Sequence, residues 1–338
     1  MNRKVIAGVV VGIVALSLVI GFVASLLWFD KDKSGEKEVV YGRSGGAVGV
    51  VSIDGAIVCG RSMAGFTGAQ AGSEDVIAQL RSVAKNPDIR TVVLRLNSPG
   101  GTAAGAQEIA VEVDRLRQAG KKVVASMGDV SASGAYWIAC RADKIVANPG
   151  TLTGSIGVIM QIQDLRGLYG KIGIEPQTFK SGPYKDMGAP DRSITREERV
   201  IFQSMVNDIY DQFLNAVASG RKMEPEKVRE LADGRVFTGR QARDVGLVDE
   251  LGNYRDAISI AGRLSGLGPE PRVIELGPRG LLQELFGTVT GAPSWAGLMG
   301  KWAAGVIEPA EVRIKENQEL YPAIWLLYPA YFFERQGS

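Results

Sequence analysis

Apolar and polar residues alternate on two scales along this chain. At its start, Val5 to Phe29 runs without a single charge. At about 1.5 Å per residue such a run crosses a hydrocarbon layer of about 30 Å with some tilt, so it reads as a membrane anchor. The rival reading is a cleaved signal peptide, with Val23-Ala24-Ser25 as a weak small-residue site. The apolar run is, however, far longer than the ~7–15 residues usual in one. Arg3 and Lys4 precede the run and Lys31, Lys33 and Lys37 follow it, so flanking charge says little about orientation beyond the usual dominance of the first segment. Gly8 and Gly12 form a Gly-x-x-x-Gly pair of the kind that lets two spanning helices approach. From Asp30 to Gly46 the chain turns polar and glycine-bearing, as a flexible tether does.

Past the tether, short apolar runs alternate with amphipathic stretches. Val48 to Val58 reads as a buried strand and turn. Ser73 reads as the N-cap of a helix whose apolar stripe is Val76, Ile77, Leu80 and Val83. Thr91 to Asn97 is the next strand and Ala103 to Gln118 the next helix. Strands follow at Lys122–Met127 and Lys144–Ala147, with a short helix opened by Tyr136 and Trp137 between them. Further on, Asp164 to Gly170 looks helical and Glu175 to Phe179 looks like a strand. Arg196 to Ser219 is a long helix with Val200, Ile201, Met205, Ile209, Phe213 and Val217 at helical spacing, a stripe suited to core or oligomer contact. A helix from Tyr254 to Leu264 and a strand from Val273 to Leu276 close the pattern. Strands and helices in this alternation predict an α/β fold with largely parallel pairing.

Composition narrows the function classes. The chain has 338 residues, 45% of them hydrophobic and 22% charged, which suffices for one large or two smaller cores. A net charge of +2 carries no basic excess that would argue for nucleic acid. Two cysteines, Cys59 and Cys140, are too few for a disulfide framework, and Cys140 reads as a small buried hydrophobe. The sequence implies no cofactor and no metal. It contains no histidine, which removes Ser-His-Asp and Cys-His machinery and the histidine zinc motifs.

Two corners stand out as chemistry. Ser133 lies between Ala132 and Gly134 just before a helix, where free backbone N–H groups can stabilise a developing oxyanion. Small residues at a helix start also serve plain packing or capping. The corner Asn97-Ser98-Pro99-Gly100-Gly101, at a strand-to-helix junction, frees backbone amides in the same way, although Pro-Gly marks ordinary turns as well. Without imidazole, lysine is the strongest available base for a serine hydroxyl.

Four stretches in order, Asn97–Gly101 (NSPGG), Asp129–Ala139 (DVSASGAYWIA), Ala147–Ile159 (ANPGTLTGSIGVI) and the block from Asp233 (DGRVFTGRQARDVGLVDELG), resemble the signal peptide peptidase A family. These are membrane-anchored serine proteases of the Clp protease/crotonase superfamily, and the match runs from about Val48 to Leu276. The resemblance implies an α/β, Clp protease/crotonase-like fold of repeated ββα units preceded by one N-terminal transmembrane helix. It divides the chain into a cytoplasmic tip (1–4), anchor (5–29), tether (30–46), protease domain (47–276) and a C-terminal extension (277–338) for oligomer or membrane-surface contact. It further implies a Ser/Lys dyad, with Ser133 as nucleophile and Lys185 as general base. In that scheme Ser155 hydrogen-bonds the lysine, and Gly101 and Gly134 supply the oxyanion amides. Many members carry two glycines after the nucleophile, whereas here Gly134 is followed by Ala135, whose methyl trims the cleft without removing an amide.

The expected partners are hydrophobic peptides, the lipid bilayer and further copies in a ring, with the catalytic domain on the extracytoplasmic side of the cell inner or plasma membrane. A crotonase-like acyl-CoA enzyme and an inactive scaffold of the same fold are the alternatives. An unperturbed lysine, near ~10.4, is only ~0.4% neutral at about pH 8, and bringing it to ~8 requires destabilising the cation by about 3.3 kcal/mol. Lys185 is therefore expected to be largely buried and without a close carboxylate, despite Asp186 beside it. Lys144, expected to point outward, and Lys180, which lacks the loop match, are its competitors.

Overall fold

β2 (Ala47–Asp54), β6 (Ile89–Ser98) and β7 (Lys122–Ala132) lie side by side in parallel, and their register builds two ladders. Val50, Val93 and Val124 face one side of the sheet, while Val51, Leu94 and Ala125 face the other. Side chains of a strand alternate between faces, so near-continuous apolar strands like these are the form taken by a sheet covered on both sides. In this computed structural model residues 45–65 and 68–277 are described, together with the backbone of β1 (Glu36–Lys37).

Between these strands come β3 (Ala56–Val58), β4 (Met63–Gly65), β5 (Gly68–Gly72), α1 (Ser73–Lys85) and α2 (Ala103–Gln118). After β7 follow α3 (Gly134–Ala139), β8 (Lys144–Ala147), β9 (Leu152–Gly154), α4 (Arg166–Ile172), α5 (Arg196–Arg221), α6 (Pro225–Leu231), β10 (Val236–Thr238), α7 (Gly239–Asp244), β11 (Glu250–Leu251), α8 (Tyr254–Leu264) and β12 (Arg272–Leu276). The main sheet runs β1-β12-β2-β6-β7-β8-β11, with β9 against the last part of β7 and β10 on β9. All its pairings are parallel except β1–β12 and β9–β10. A small second sheet runs β3-β5-β4.

Helices cover both faces. α8 lays Ala257, Ile258, Ile260 and Ala261 on the face carrying Val50 and Val93. The other face is the larger core, filled from α1, α2, α3 and the second half of α5, where Trp137 stacks on Phe213 with ring centroids 4.5 Å apart. This parallel-rich α/β architecture agrees with the expected fold. Among the described residues no helix is long and apolar enough to cross a membrane. The anchor read at Val5–Phe29 lies outside the described residues, as do most of the tether and of the extension.

The elements fall close to where the pattern puts them, with two corrections. Ser73 is the first helical residue rather than the cap; Gly72 holds that place without a side-chain bond, and Ser73 Oγ donates to Glu108 at 2.5 Å instead. Glu175 to Phe179 is not a strand, because no neighbouring strand offers it a ladder, and all five residues are exposed.

Candidate active site

β7 has to change course to reach Ser133. Its first part pairs with β8 and its last part, Val130 to Ala132, with β9. The change occurs at a bulge, since Leu96 pairs with Met127 but Ser98 with Ser131. Asn97 fills it, its Oδ1 accepting from the amides of Asp129 (3.2 Å) and Val130 (3.3 Å). Gly128 leaves the room: a Cβ there would sit 2.9 Å from Asn97 Oδ1. Two amides that the bulge strips of ladder partners are thereby satisfied.

Immediately after β7, Ser133 adopts φ 54° and ψ −120° as the N-cap of α3. Such a conformation costs an L-residue on the order of 1–3 kcal/mol and persists only where the surroundings hold it. Here the Ser133 amide donates to Gly154 O at 2.8 Å, and the Ser133 carbonyl accepts from the Trp137 amide at 2.9 Å. Ser133 is fully buried, and its Oγ has no hydrogen-bond partner. A buried hydroxyl left this way costs about 1–3 kcal/mol, so it calls for a reason.

Among the described residues, three that are not glycine have a positive φ: Ser133, Ser155 (49°) and Lys222 (53°). Lys222 is the left-handed C-cap of α5, an ordinary place for that conformation. The other two serines belong to adjoining turns. Ser155 follows Gly154, whose carbonyl holds Ser133, and its own amide donates to Arg235 O at 2.8 Å.

The Asn97–Gly101 corner closes on the same turn. Gly100, at φ 101°, approaches so closely that a Cβ on it would lie 2.8 Å from the Gly134 nitrogen and 2.9 Å from Ser133 Cβ. Ile57 clamps the corner, donating its amide to Gly100 O and accepting from the Thr102 amide, both at 2.8 Å. The Gly101 amide between them, and the Gly134 amide at the start of α3, find no acceptor among the described residues. The fold thus brings Ser133, Ser155, Gly101 and Gly134 into one neighbourhood.

Lys185 does not join them within the single chain. Contrary to the expectation of burial, it is exposed, and it makes no hydrogen bond to Ser133 Oγ, which has none. The segment carrying it, residues 157–197, holds no buried side chain at all. Asp186 is not folded onto Lys185 but onto Lys180 (2.8 Å) and Arg192 (2.9 Å). The Arg192 guanidinium, and then the Lys180 ammonium, hold the Asp186 carboxyl well below the usual carboxylate range. Of the competitors, Lys180 is occupied by Asp186, and Lys144 lies 3.9 Å from Glu250 at the sheet edge. Sequence reasoning did not single out the Asn97 side chain or Arg192. The first sits in the stretch that was recognised; nothing in the pattern marks the second.

A cavity of about 420 Å³ bounded by Ser52, Asp54, Arg95, Tyr254 and Glu275 contains none of these residues. There burial pushes the Asp54 carboxyl up from its ordinary value, opposed by Arg95. Among the described residues no cluster of acidic or cysteine side chains is arranged to hold a metal.

Comparison with known proteins decides the family. The model of peptidase family S49 matches residues 115–268, which include Ser133, Ser155 and Lys185. The chain is 32% identical over 275 residues to a candidate signal peptide peptidase SppA of Enterococcus faecium, covering 76% of this chain and 80% of that one. It is 42% identical over 224 residues to a candidate protease of Synechocystis sp., covering 65% and 80%. The chain belongs to the signal peptide peptidase A family, peptidase family S49. With Protease 4 of Salmonella typhi, a much longer member, it shares 36% identity over 224 residues, 66% of this chain but 35% of that one. As a member of S49, a family of serine proteases, the chain brings its deepest anomaly, the strained and unpartnered Ser133, into the matched region.

Proposed function

We propose that the chain is a membrane-anchored serine endopeptidase acting on hydrophobic peptides, signal-peptide remnants among them, with a Ser/Lys dyad completed between two copies. The observation that carries this reading is the pairing of Ser133 and Ser155, both at positive φ, across the Ser133–Gly154 bond. Strain of this kind clusters where chemistry needs a fixed geometry. Ser133 Oγ attacks the scissile carbonyl and passes its proton to the Lys185 amine. The Gly101 and Gly134 amides hold the negative oxygen. The leaving amine takes the proton as the tetrahedral species collapses, and water then repeats the cycle on the acyl-enzyme. Ser155 Oγ orients the amine.

A second copy answers the exposure of Lys185. Residues 157–197 display Ile159, Leu168, Ile172, Ile174 and Tyr184, with Phe179 95% exposed, and the first half of α5 adds Val200 and Met205. So many exposed large apolar side chains within one segment suit an interface, and a copy packed on them would also withdraw Lys185 from water. Tethering to the bilayer by Val5–Phe29 would raise the effective concentration of membrane-held peptides.

The test mixes two inactive forms. Ser133→Ala and Lys185→Ala, each in the full chain in detergent, are expected to lose activity on a fluorogenic apolar peptide. Unfolding them together and refolding them at equal amounts is expected to restore about a quarter of wild-type activity, the share of serine–lysine contacts that random assembly leaves intact. No restoration would mean that the dyad is not shared; activity in either variant alone would end the dyad assignment.

A further inference from the structure

The loop that carries Lys185 has almost no hydrophobic support, yet it is fixed at one point. Arg192 spreads its guanidinium between two carboxylates. Nε and Nη2 donate to Asp186 Oδ2 and Oδ1, both at 2.9 Å, and Nη2 also donates to the Asp186 carbonyl at 2.9 Å. On its other side Nη1 donates to Glu198 Oε2 at 2.9 Å and Nη2 to Glu198 Oε1 at 2.5 Å. Glu198 is only 2% exposed and closes the capping box of α5, accepting from the Thr195 amide while its own amide donates to Thr195 Oγ1. One side chain therefore ties the residue next to Lys185 to the first turn of a 26-residue helix.

We infer that Arg192 is a positioning residue for the proposed base, acting by keeping Asp186 off Lys185. This rests on the reading of Lys185 as base. An adjacent carboxylate is the natural ion-pair partner of a lysine, and a lysine so paired holds its proton. Asp186 is faced by Lys180 and Arg192 from the loop and by Glu198 from α5; of the other acids in the segment, Asp164 is taken up by Arg166 and Ser193. Three of the roughly four acceptor positions of the Asp186 carboxylate are filled by these two cations, and Arg192 also anchors its backbone. With Asp186 satisfied and its main chain fixed, the Lys185 ammonium has no hydrogen bond or ion pair among the described residues. Lysine at position 192 would keep the charge but lose the fork that reaches both acids at once.

Full-length protein in detergent would be tested as wild type, Arg192→Ala, Arg192→Lys and the double variant Arg192→Ala/Asp186→Asn. Two readings are taken against pH: peptidase rate, and the rate at which an amine-reactive acetylating reagent labels Lys185, followed by mass spectrometry. In Arg192→Ala the rising limb of both profiles is expected about one unit higher, with roughly tenfold less activity below it, since Asp186, holding only Lys180 and with its backbone anchor gone, can turn to its neighbour. The double variant is expected to return both limbs to the wild-type position, because the competing carboxylate has gone, and Arg192→Lys to fall between. Unchanged profiles in Arg192→Ala, whatever its melting temperature, would overturn the inference, as would a double variant that stays displaced. Full activity in Lys185→Ala would remove the base assignment instead, and the labelling profile alone would still report whether Arg192 holds Asp186 away.

Discussion

The amide of Ser133 donates to the carbonyl of Gly154 at 2.8 Å, so the turn that carries the proposed nucleophile is hung on the turn that carries Ser155. Gly154 sits at φ 77°, and a Cβ on it would lie 2.6 Å from a ring carbon of the largely buried Phe237. Gly154→Ala must shift that carbonyl, and with it both serines. The expected result is a loss of about 1–3 kcal/mol in stability together with a fall in kcat, seen by thermal unfolding and turnover on one preparation. Wild-type values of both would separate the two turns.

Asn97 acts at one remove. By accepting from the Asp129 and Val130 amides it shapes the bulge that redirects β7 toward Ser133. Asn97→Ala leaves those amides without their acceptor, at a cost of about 1–3 kcal/mol where water does not replace it. Its effect should fall on kcat more than on KM, because the turn is displaced and no substrate contact is removed. Asn97→Asp keeps an acceptor at the same place and is expected to recover most of the loss; wild-type kcat in Asn97→Ala would contradict the assignment.

The two glycines of the neighbouring corner should behave differently. Gly100→Ala sets a methyl 2.8 Å from the Gly134 nitrogen, blocking one proposed oxyanion donor, and a loss of roughly 10²–10³ in kcat is expected for that. Gly101→Ala instead drives a methyl to within 1.9 Å of Ile57 O, on the backbone bridge between β3 and the corner, so it is expected to reduce soluble yield before any rate is measured. Circular dichroism and turnover on both proteins would distinguish the outcomes.

Cysteine chemistry offers a check that needs no substrate. Burial pushes the Cys140 thiol up to about 12, whereas Cys59 is exposed. A group at about 12 is on the order of 10⁻⁴ ionised at about pH 8, and the thiolate is the reacting form. A maleimide at that pH is expected to modify Cys59 alone, with Cys140 reacting only after denaturation. Early labelling at Cys140 in mass spectra would mean that the core around α3 opens readily.

What the sequence disclosed depended on the range of the cause. Gly100, Gly101 and Gly134 were legible because close backbone approach leaves a local mark, glycine beside proline or serine. The strands β6, β7 and β8 were legible because burial on both faces produces continuous apolar runs. Where the cause lies elsewhere in the fold, the residues gave no sign. Ser73 looks like a cap, but Glu108 on another helix claims its hydroxyl. Glu175–Phe179 has a plausible strand composition, and what it lacks is a neighbour. The burial expected of Lys185 is the sharpest case, because the local residues do not say whether it would come from the same chain or from a neighbouring copy, and within the chain residues 157 to 197 include no buried one.

That loop and the first half of α5 after it supply the last prediction. Phe179 is 95% exposed and Val200 64%, so a charge at either position meets water in the single chain and should leave its folding within about ±0.5 kcal/mol. If the same surface seats a second copy, a charge there must be desolvated on assembly, which is costly without a partner. Phe179→Asp and Val200→Asp are therefore expected to keep the wild-type circular dichroism spectrum, to sediment as smaller species in detergent, and to lose peptidase activity in step with assembly. Adding active Lys185 donors in the form of Ser133→Ala protein should not rescue them, since the defect is in docking. Variants that remain fully assembled and fully active would show that this apolar surface is not where the copies meet.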